Sequence, residues 1–444
     1  MNIAMPILFR LTWIASCLAF FPACSTWLGA PSLEAQTEKL SEIQQRGGYQ
    51  PSRSLAIETL SQRWNNTGAE LQVTITAPAS PGSYPLIVYL PGLGEDAEAG
   101  SLWRETWAKA GYVVFSLQAT EIADALKDLQ AQTLDDDQTL VRQPRHQDEI
   151  DRMLPSADDE TTSRQRRGVT EIARNSELRY LGHTHFAPAN LQQRLNHLFW
   201  CFSRLKQLAQ TGQAPFAKAN FSKIIVAGFE LGAQTTSALA GEQVDISLPH
   251  HDDFSPLGYV QLSPVVDLAG GNLRKRFQNL QQPMLVITSP QDEDPYAISS
   301  ASARSSLWEF APADRKYLLL LKDAGHRLLA GSDRGDRSQQ AFRSNEADDF
   351  YNPFSNSESG PGHSNKRQKS SPGTLAGQRY WLDSDDRENT KQLRQVLGYQ
   401  QVAAILSVST AFIDQLCNAD ANSAYWLNHE ANGWLGAAGV LKYK

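Results

Sequence analysis

The chain has 444 residues and a hydrophobic fraction of 41%, which is enough apolar material for a sizeable core. Its formal net charge of −7 argues against a nucleic-acid partner, because phosphate binding needs a concentrated surface of lysine and arginine. A short basic run at residues 366–369 is too small to change that conclusion.

The N-terminus has the pattern of an export signal. A single arginine precedes an apolar stretch at residues 11–21, which is too short to cross a bilayer as a stable helix. We therefore predict a signal peptide over residues 1–24. Residues 21–25 loosely resemble the bacterial lipoprotein box, in which a cysteine, here Cys24, is lipidated and attaches the mature protein to the membrane. Cleavage after Ala30 would instead release a soluble protein, and a buried N-terminal helix is a third alternative. The signal-peptide interpretation predicts an exported protein, periplasmic or anchored in the cell envelope.

Strand patterns and helix patterns alternate after a polar linker predicted at residues 25–50. Several runs are continuously apolar, as expected of parallel strands that are covered on both faces. The predicted strands span residues 71–77, 85–90, 112–117, 224–227, 257–262, 284–289 and 316–322. Helices are predicted at residues 103–110, 191–205 and 402–416. The alternation predicts an α/β domain over residues 51–444 with a mostly parallel central sheet flanked by helices.

Two polar stretches interrupt this alternation. Residues 121–190 lack a long apolar period, and we predict a partly mobile insertion there. Residues 332–374 are rich in Ser, Asn, Gly, Asp and Arg, which cannot bury enough apolar surface to fold by themselves. The second stretch is therefore predicted to be a long, loosely held loop.

Cysteine and histidine spacings do not indicate a metal site. Four cysteines are too few for a disulfide scaffold, and Cys17 lies within the predicted signal peptide. Cys201 and Cys417 lie in apolar helical patterns, which predict buried free thiols, although an exported protein could also pair them. The histidines at residues 183–185 and 250–253 have no partner at helical spacing, so we interpret both segments as polar loops. No metal or other cofactor is expected.

The most informative segment is Gly-Phe-Glu-Leu-Gly at residues 228–232. It has the spacing of a nucleophile elbow, but Glu230 stands where a hydrolase has its serine. An apolar strand pattern precedes it and a helical pattern follows, so strand, turn and helix come in the order that the motif requires. A side chain at Gly228 or Gly232 would collide with the neighbouring strand or helix in such a turn. An ordinary tight strand-to-helix turn explains the two glycines equally well.

Four features each follow a predicted strand, in this order along the chain: a glycine loop at residues 91–94, then Glu230, Asp292 and His326. This is the order of oxyanion loop, nucleophile, acid and histidine in α/β-hydrolases. The chain resembles the dienelactone-hydrolase-like and platelet-activating-factor-acetylhydrolase-like branch of that superfamily over most of residues 71–331 and the C-terminal helix. The matching strings are residues 84–94, 288–295 and 324–326.

The resemblance implies the α/β-hydrolase fold and a role for each matched residue. Asp292 would orient the imidazole of His326, which would act as general base and general acid. The backbone N–H groups of Leu93 and Leu231 would hold the oxyanion, and Asp294 is the alternative acid. The implied ligand is a small ester-like or apolar molecule.

Two positions depart from the family pattern. Pro91 replaces a histidine that is common before the loop glycine, and Glu230 replaces the serine. A glutamate with an ordinary pKa of about 4.3 is ionised at neutral pH and needs no base for attack. Its attack on an ester would expel an alkoxide and produce a mixed anhydride. This step is uphill because an alkoxide is a poorer leaving group than a carboxylate, so serine-type ester hydrolysis is not expected. An ion pair between Glu230 and His326 is the other expected consequence, and it would leave no free base.

Three functions are compatible with these residues. The first is a hydrolase-fold protein that has lost esterase activity and keeps a pocket or surface for binding. The second is a hydrolase that uses a carboxylate nucleophile, as haloalkane dehalogenases and epoxide hydrolases do, or water activated by His326. The third is a structural protein of the cell envelope whose polar insertions contact partners.

Overall fold

The computed structural model describes the backbone of residues 33–127, 129, 159–247, 252–332 and 384–444. The predicted signal peptide with Cys24, the basic run at residues 366–369, His250 and His251 lie outside the described residues, as does nearly all of the second polar stretch. The predictions for those segments therefore stay predictions.

A nine-stranded mixed sheet forms the centre of the part of the chain that the structure describes. The strands are β1 (Ile57–Asn66), β2 (Ala69–Pro78), β3 (Tyr84–Leu90), β4 (Val113–Ala119), β5 (Ala219–Phe229), β6 (Pro256–Leu262), β7 (Met284–Thr288), β8 (Lys316–Leu321) and β9 (Gly439–Tyr443). Their spatial order is β1-β2-β4-β3-β5-β6-β7-β8-β9. Strands β3 to β8 are parallel to one another, whereas β1, β2 and β9 run antiparallel to their neighbours. The predicted α/β class with a mostly parallel sheet is confirmed.

Helices cover both faces of this sheet. They are α1 (Leu33–Gln45), α2 (Ser101–Lys109), α3 (Thr120–Asp124), α4 (Asp159–His185), α5 (Pro188–Gln210), α6 (Leu231–Leu239), α7 (Leu273–Phe277), α8 (Ala301–Arg304), α9 (Ser306–Phe310), α10 (His326–Ala330), α11 (Ser384–Cys417), α12 (Ala421–Tyr425) and α13 (Ala431–Leu435). A π-helical turn, Trp426–Glu430, joins α12 to α13. Short 3-10 turns lie at Phe216–Lys218 and Leu268–Gly270.

Alternate residues of the central strands point into two separate cores. In β3, Ile87 and Tyr89 join a core with α2 and α11, and Leu86 and Val88 join a core with α5 and α9. Both faces of the strand are therefore removed from water, which explains why its sequence is apolar throughout. Packing in the two cores holds the central strands in place. The loops of the candidate site meet at the edge formed by the ends of these strands.

The first polar stretch contains more regular structure than its composition predicts. Residues 159–185 form α4, so the polar-loop prediction for residues 183–185 is wrong. Leu178 of this helix and Phe186 just beyond it are buried in a small core with Tyr296. These few apolar contacts stabilise the segment. Its many charged residues interrupt the apolar period of a helix, so the sequence did not predict one.

Both ends of the described chain also differ from expectation. The predicted linker contains α1, whose Gln44 side chain lies 3.3 Å from the hydroxyl of Ser407 in α11. Helix α11 begins at residue 384, well before the predicted start at residue 402. Strands β1 and β9 at the sheet edges were not predicted, because both are partly exposed and neither has a continuous apolar run.

Within the described ranges, no helix combines the length and the hydropathy needed to span a membrane. The same ranges contain no group of three or more His, Cys, Asp or Glu side chains arranged to hold a metal ion. Cys201 and Cys417 are buried and free, as predicted, and burial raises the pKa of both thiols.

Candidate functional site

The turn after β5 has a strained backbone at its central residue. Glu230 has φ 48° and ψ −104°, a region that residues with a side chain rarely occupy. Its backbone N–H donates to the carbonyl of Leu262, 3.0 Å away, which ties the turn to β6. A Cβ at Gly228 would overlap the backbone of Gly232, and a Cβ at Gly232 would overlap the carbonyl of Leu90. The steric reason predicted for the two glycines is confirmed.

The Glu230 side chain turns into the glycine loop that follows β3. Its Oε2 accepts a hydrogen bond of 3.1 Å from the backbone N–H of Leu93. A Cβ at Gly92 would lie only 2.7 Å from this oxygen, so the glycine makes room for the carboxyl group. Glu230 is 2% exposed, and its Oε1 has no hydrogen-bond partner among the described residues. The carboxyl group thus binds one of the two N–H groups expected to hold an oxyanion.

Burial determines the protonation state of Glu230. Removal from water raises the pKa of its carboxyl group well above the ordinary range, and the negative charges of Asp294 and Glu95 raise it further. The hydrogen bond from Leu93 and the positive charge of Arg304 lower this pKa by smaller amounts. The shift favours the neutral form of Glu230. The expectation of an ionised glutamate assumed a carboxylate in contact with water, whereas this side chain is buried.

Asp292 and His326 lie side by side, although they come from different loops. Asp292 follows β7, and His326 begins α10 after β8. The Nδ1 atom of His326 lies 2.7 Å from Oδ1 of Asp292. With an ionised aspartate as acceptor, we assign the proton to Nδ1, which leaves the lone pair on Nε2. The ring of Phe229 lies 5.0 Å from the imidazole, centroid to centroid, so the residue before Glu230 packs against the histidine.

A set of donors holds the Asp292 carboxylate. The hydroxyl groups of Ser263 and Thr288 each donate to it at 2.8 Å, and Nε of Arg304 lies 3.3 Å from Oδ2. Complete burial would raise the pKa of Asp292, but the hydrogen bond to His326 and the charge of Arg304 lower it below the ordinary value. Asp292 is therefore ionised at neutral pH, whereas the pKa of Glu230 is shifted in the opposite direction.

Ser263, Thr288 and Arg304 were not predicted from the sequence. Ser263 directly follows β6, and Thr288 is the last residue of β7. Ligand sites of parallel sheets lie at the carboxyl ends of the strands, so these positions could have indicated both residues. Arg304 is fully buried in α8, and its guanidinium also donates to the carbonyls of Ser263, Pro264 and Asp292. No local sequence pattern distinguishes this arginine.

Asp294, the alternative acid, has a different role. Its carboxylate accepts hydrogen bonds of 2.7–2.9 Å from the backbone N–H groups of Tyr296, Ile298 and Ser299. It therefore holds the loop between β7 and α8, and the imidazole pairs with Asp292 instead.

The predicted ion pair between Glu230 and His326 is not formed. Among the described residues, the polar partners of the His326 side chain are Asp292 and Ser263, and the partner of the Glu230 carboxyl is Leu93. The physical reason is that the Glu230 carboxyl group is turned to the Leu93 N–H, while Asp292 holds the imidazole. Leu231, the second expected oxyanion donor, is the first residue of α6.

No family model matches this chain, and a search of curated proteins finds no match. The geometry at the ends of β3, β5, β7 and β8 is therefore the basis for assigning a function.

Proposed function

We propose that this chain is an exported α/β-hydrolase-fold protein, similar in its site to dienelactone-hydrolase-like esterases, that binds a ligand without serine-type ester hydrolysis. Support for the fold comes from the mostly parallel sheet and from the positions of Leu93, Glu230, Asp292 and His326 after its strands. Open α/β sheets bind their ligands at this edge, beyond the carboxyl ends of the strands. The ligand class that the resemblance implies is a small ester-like or apolar molecule.

One observation carries the loss of esterase activity. The Leu93 N–H, which would stabilise the oxyanion of an ester intermediate, already donates to Oε2 of Glu230 at 3.1 Å. Removal of one such donor costs serine hydrolases about 10²–10³-fold in turnover. The glutamate therefore both replaces the nucleophile and withdraws a donor from the transition state.

The carboxylate-nucleophile alternative is disfavoured by the same side chain. A nucleophilic carboxylate must be ionised and must face the carbon that it attacks. Burial raises the pKa of Glu230, which favours the neutral form, and the carboxyl group is turned toward the glycine loop.

Water activated by His326 is the second candidate function. The observation in its favour is the Asp292–His326 pair at 2.7 Å, which has the arrangement needed to leave Nε2 as a base. Such a site would hydrolyse a substrate directly, without a covalent intermediate and without Glu230 as nucleophile.

The test is an assay of purified protein on short acyl esters, epoxides and alkyl halides. Wild type is compared with Glu230→Ser, Glu230→Gln and His326→Ala. We expect no hydrolysis by wild type or Glu230→Gln, and ester hydrolysis by Glu230→Ser, because serine is shorter and releases the Leu93 N–H.

Each other outcome points to a different function. Wild-type hydrolysis that disappears in His326→Ala contradicts the binding proposal and favours water activation. Inactivity of every variant, with no ligand bound, favours a structural role in the cell envelope. Mass detection of lipid on Cys24 tests membrane attachment separately, and its absence would exclude the lipoprotein form.

A further inference from the structure

The hydroxyl of Tyr49 lies between two carboxyl groups near the C-terminus. It is 2.7 Å from Oδ2 of Asp414 in α11 and 2.8 Å from Oδ2 of Asp420, which precedes α12. Both distances are those of ordinary O–H···O hydrogen bonds, in which a hydrogen lies between the two oxygens. Ionised carboxylates only accept hydrogen bonds, and a tyrosine has a single hydroxyl hydrogen. If both aspartates were ionised, one of the two close contacts would therefore lack a hydrogen.

Other donors already occupy the rest of the two carboxyl groups. Oδ1 of Asp414 accepts hydrogen bonds from the hydroxyl of Tyr112 and from the side-chain amide of Asn418. Asp420 accepts from two backbone N–H groups at the start of α12. The missing hydrogen therefore belongs between the Tyr49 hydroxyl and one of the two Oδ2 atoms.

The surroundings of this cluster disfavour a second negative charge. Tyr49 is 6% exposed and Asp414 is 4% exposed. Burial raises the pKa of Asp414, the negative charge of Asp420 raises it further, and hydrogen bonds to its carboxyl group offset only part of this shift. Two other titratable groups lie nearby. Burial raises the pKa of the Cys417 thiol, and the ammonium group of Lys223 in β5 donates to the carbonyl of Cys417 at 2.6 Å.

Tyr49 ends the N-terminal segment, residues 33–49, which packs on the C-terminal helices. The indole N–H of Trp426 donates to the carbonyl of Gly47 at 3.0 Å. The ring of Tyr49 lies 5.9 Å from that of Trp426, centroid to centroid. The bonds from the Tyr49 hydroxyl to the two carboxyl groups add to these contacts. Their loss would weaken the attachment of the segment without breaking a bond of the sheet.

We infer that Asp414, Tyr49 and Asp420 share one extra proton, and that its release to water as pH rises loosens the N-terminal segment from α11. With the proton in place, both contacts of the Tyr49 hydroxyl are hydrogen bonds. After its release, two negative charges share a single hydroxyl hydrogen, and one of the contacts becomes repulsive. The inference concerns the attachment of this segment and does not depend on the proposed function.

Hydrogen–deuterium exchange of the full chain tests this inference. Protection factors for residues 33–49, which are corrected for the intrinsic effect of pH on exchange, report the attachment of the segment. In the released state Asp414 has an ordinary pKa of about 3.9, so the attached state binds the proton more tightly and loses stability as pH rises. We expect wild-type protection to fall by up to about tenfold per pH unit between about pH 5 and pH 8, until the pH reaches the pKa of the attached cluster.

Asp414→Asn and Asp420→Asn should remove this pH dependence, because a side-chain amide donates to the Tyr49 oxygen without a titratable proton. Glu242→Gln is the matched control. Burial also raises the pKa of Glu242, but this carboxyl group pairs with Arg276. Protection of residues 33–49 in the control should therefore follow the wild-type pH dependence. Wild-type protection that is independent of pH, or an unchanged pH dependence in both aspartate variants, would overturn the inference.

Neutron diffraction from deuterated wild-type crystals gives a second measurement that does not depend on whether the variants fold. At about pH 5, an aspartate with the ordinary pKa of about 3.9 is mostly ionised. We expect one deuterium on the Tyr49 hydroxyl and a second on Oδ2 of Asp414 or Asp420. A single deuterium among these three oxygens would contradict the shared proton.

Discussion

Two carboxyl groups of the same site have pKa values shifted in opposite directions, and their partners explain the difference. The hydrogen bond with His326, the charge of Arg304 and the hydrogen bond from Thr288 together lower the pKa of Asp292 despite its complete burial. Among the described residues the Glu230 carboxyl group accepts a hydrogen bond only from the Leu93 N–H, and burial raises its pKa. Burial therefore favours the neutral form of the residue that replaces the nucleophile, whereas the residue that orients the histidine keeps its charge.

Replacing Glu230 with the neutral isostere Gln should stabilise the protein increasingly as pH rises. Because the folded pKa is raised, folded wild type keeps a proton that the unfolded chain releases above its own pKa of about 4.3. Wild-type stability is therefore lost, relative to the variant, as pH rises from that value toward the folded pKa. The difference should grow by up to about 1.4 kcal/mol per pH unit until the pH reaches the folded pKa, measured by urea unfolding between about pH 5 and pH 8. A difference that is constant over this range would mean that Glu230 titrates normally.

Asp292→Asn should destabilise the protein by about 3–5 kcal/mol at neutral pH, because it leaves the fully buried Arg304 without its carboxylate. Asp253→Asn, which removes an exposed ion pair with Lys206, should cost less than about 1 kcal/mol. Urea unfolding of both variants measures these costs. The folded pKa of Asp292 is lowered, so its contribution is lost as pH falls through that pKa. Equal stability of the two variants at neutral pH would contradict the proposed role of Asp292.

The elbow depends on how closely β3 approaches α6. Gly232 at the start of α6 touches the carbonyl of Leu90, the last residue of β3. This approach brings Glu230 close enough to the glycine loop to accept the Leu93 N–H. The position of the carboxyl group is thus fixed by packing between two elements.

Gly232→Ala should therefore destabilise the fold by at least the roughly 1–3 kcal/mol typical of overpacking. Gly433→Ala is the control, since a Cβ there meets nothing within 4 Å and alanine favours a helix by up to about 1 kcal/mol. Chemical denaturation of both variants compares the two sites. A Gly232→Ala protein as stable as wild type would mean that the elbow tolerates a wider turn.

The local apolar pattern of the sequence predicted the strands that are buried on both faces. It failed for strands and helices that are only partly buried. Strands β3 to β8 were located because their residues are apolar on both faces, whereas β1 is half exposed and resembles a loop. Helix α4 was missed because few apolar residues, such as Leu178, hold it to the core.

The order of the site residues along the chain was predictable from the sequence, but the pKa shifts of their side chains were not. Glu230, Asp292 and His326 were identified by their places after strands, and Asp292 and His326 do meet. The raised pKa of Glu230 depends on enclosure by residues far away in the chain, which no local pattern reveals. Arg304 was missed for the same reason.

Contacts between the N-terminal segment and the C-terminal helix α11 hold the described part of the fold together. The hydroxyl of Tyr49, just after α1, lies 2.7 Å from Asp414 of α11 and 2.8 Å from Asp420. Tyr112, at the start of the fourth strand, also donates to Asp414. Burial raises the pKa of Asp414, so this carboxyl group depends on its tyrosine partners. These bonds attach the N-terminal segment to the helix that covers one face of the sheet.

Tyr49→Phe should cost about 1–3 kcal/mol, because it leaves a buried acceptor without one of its donors. Tyr180→Phe provides the control at an exposed position, where a change of less than about 0.5 kcal/mol is expected. Thermal unfolding compares the two variants. Identical midpoints would show that the two ends of the chain are held together by apolar packing alone.

Infrared difference spectroscopy of wild type against Glu230→Gln at neutral pH tests most directly whether a neutral carboxyl group occupies the oxyanion loop. Glu242 and Asp414, whose pKa values burial also raises, are present in both proteins and cancel. We predict that wild type has a carbonyl stretch of a protonated carboxylic acid that the variant lacks. Loss of an ionised carboxylate band instead would contradict the neutral Glu230 and would restore the carboxylate-nucleophile alternative.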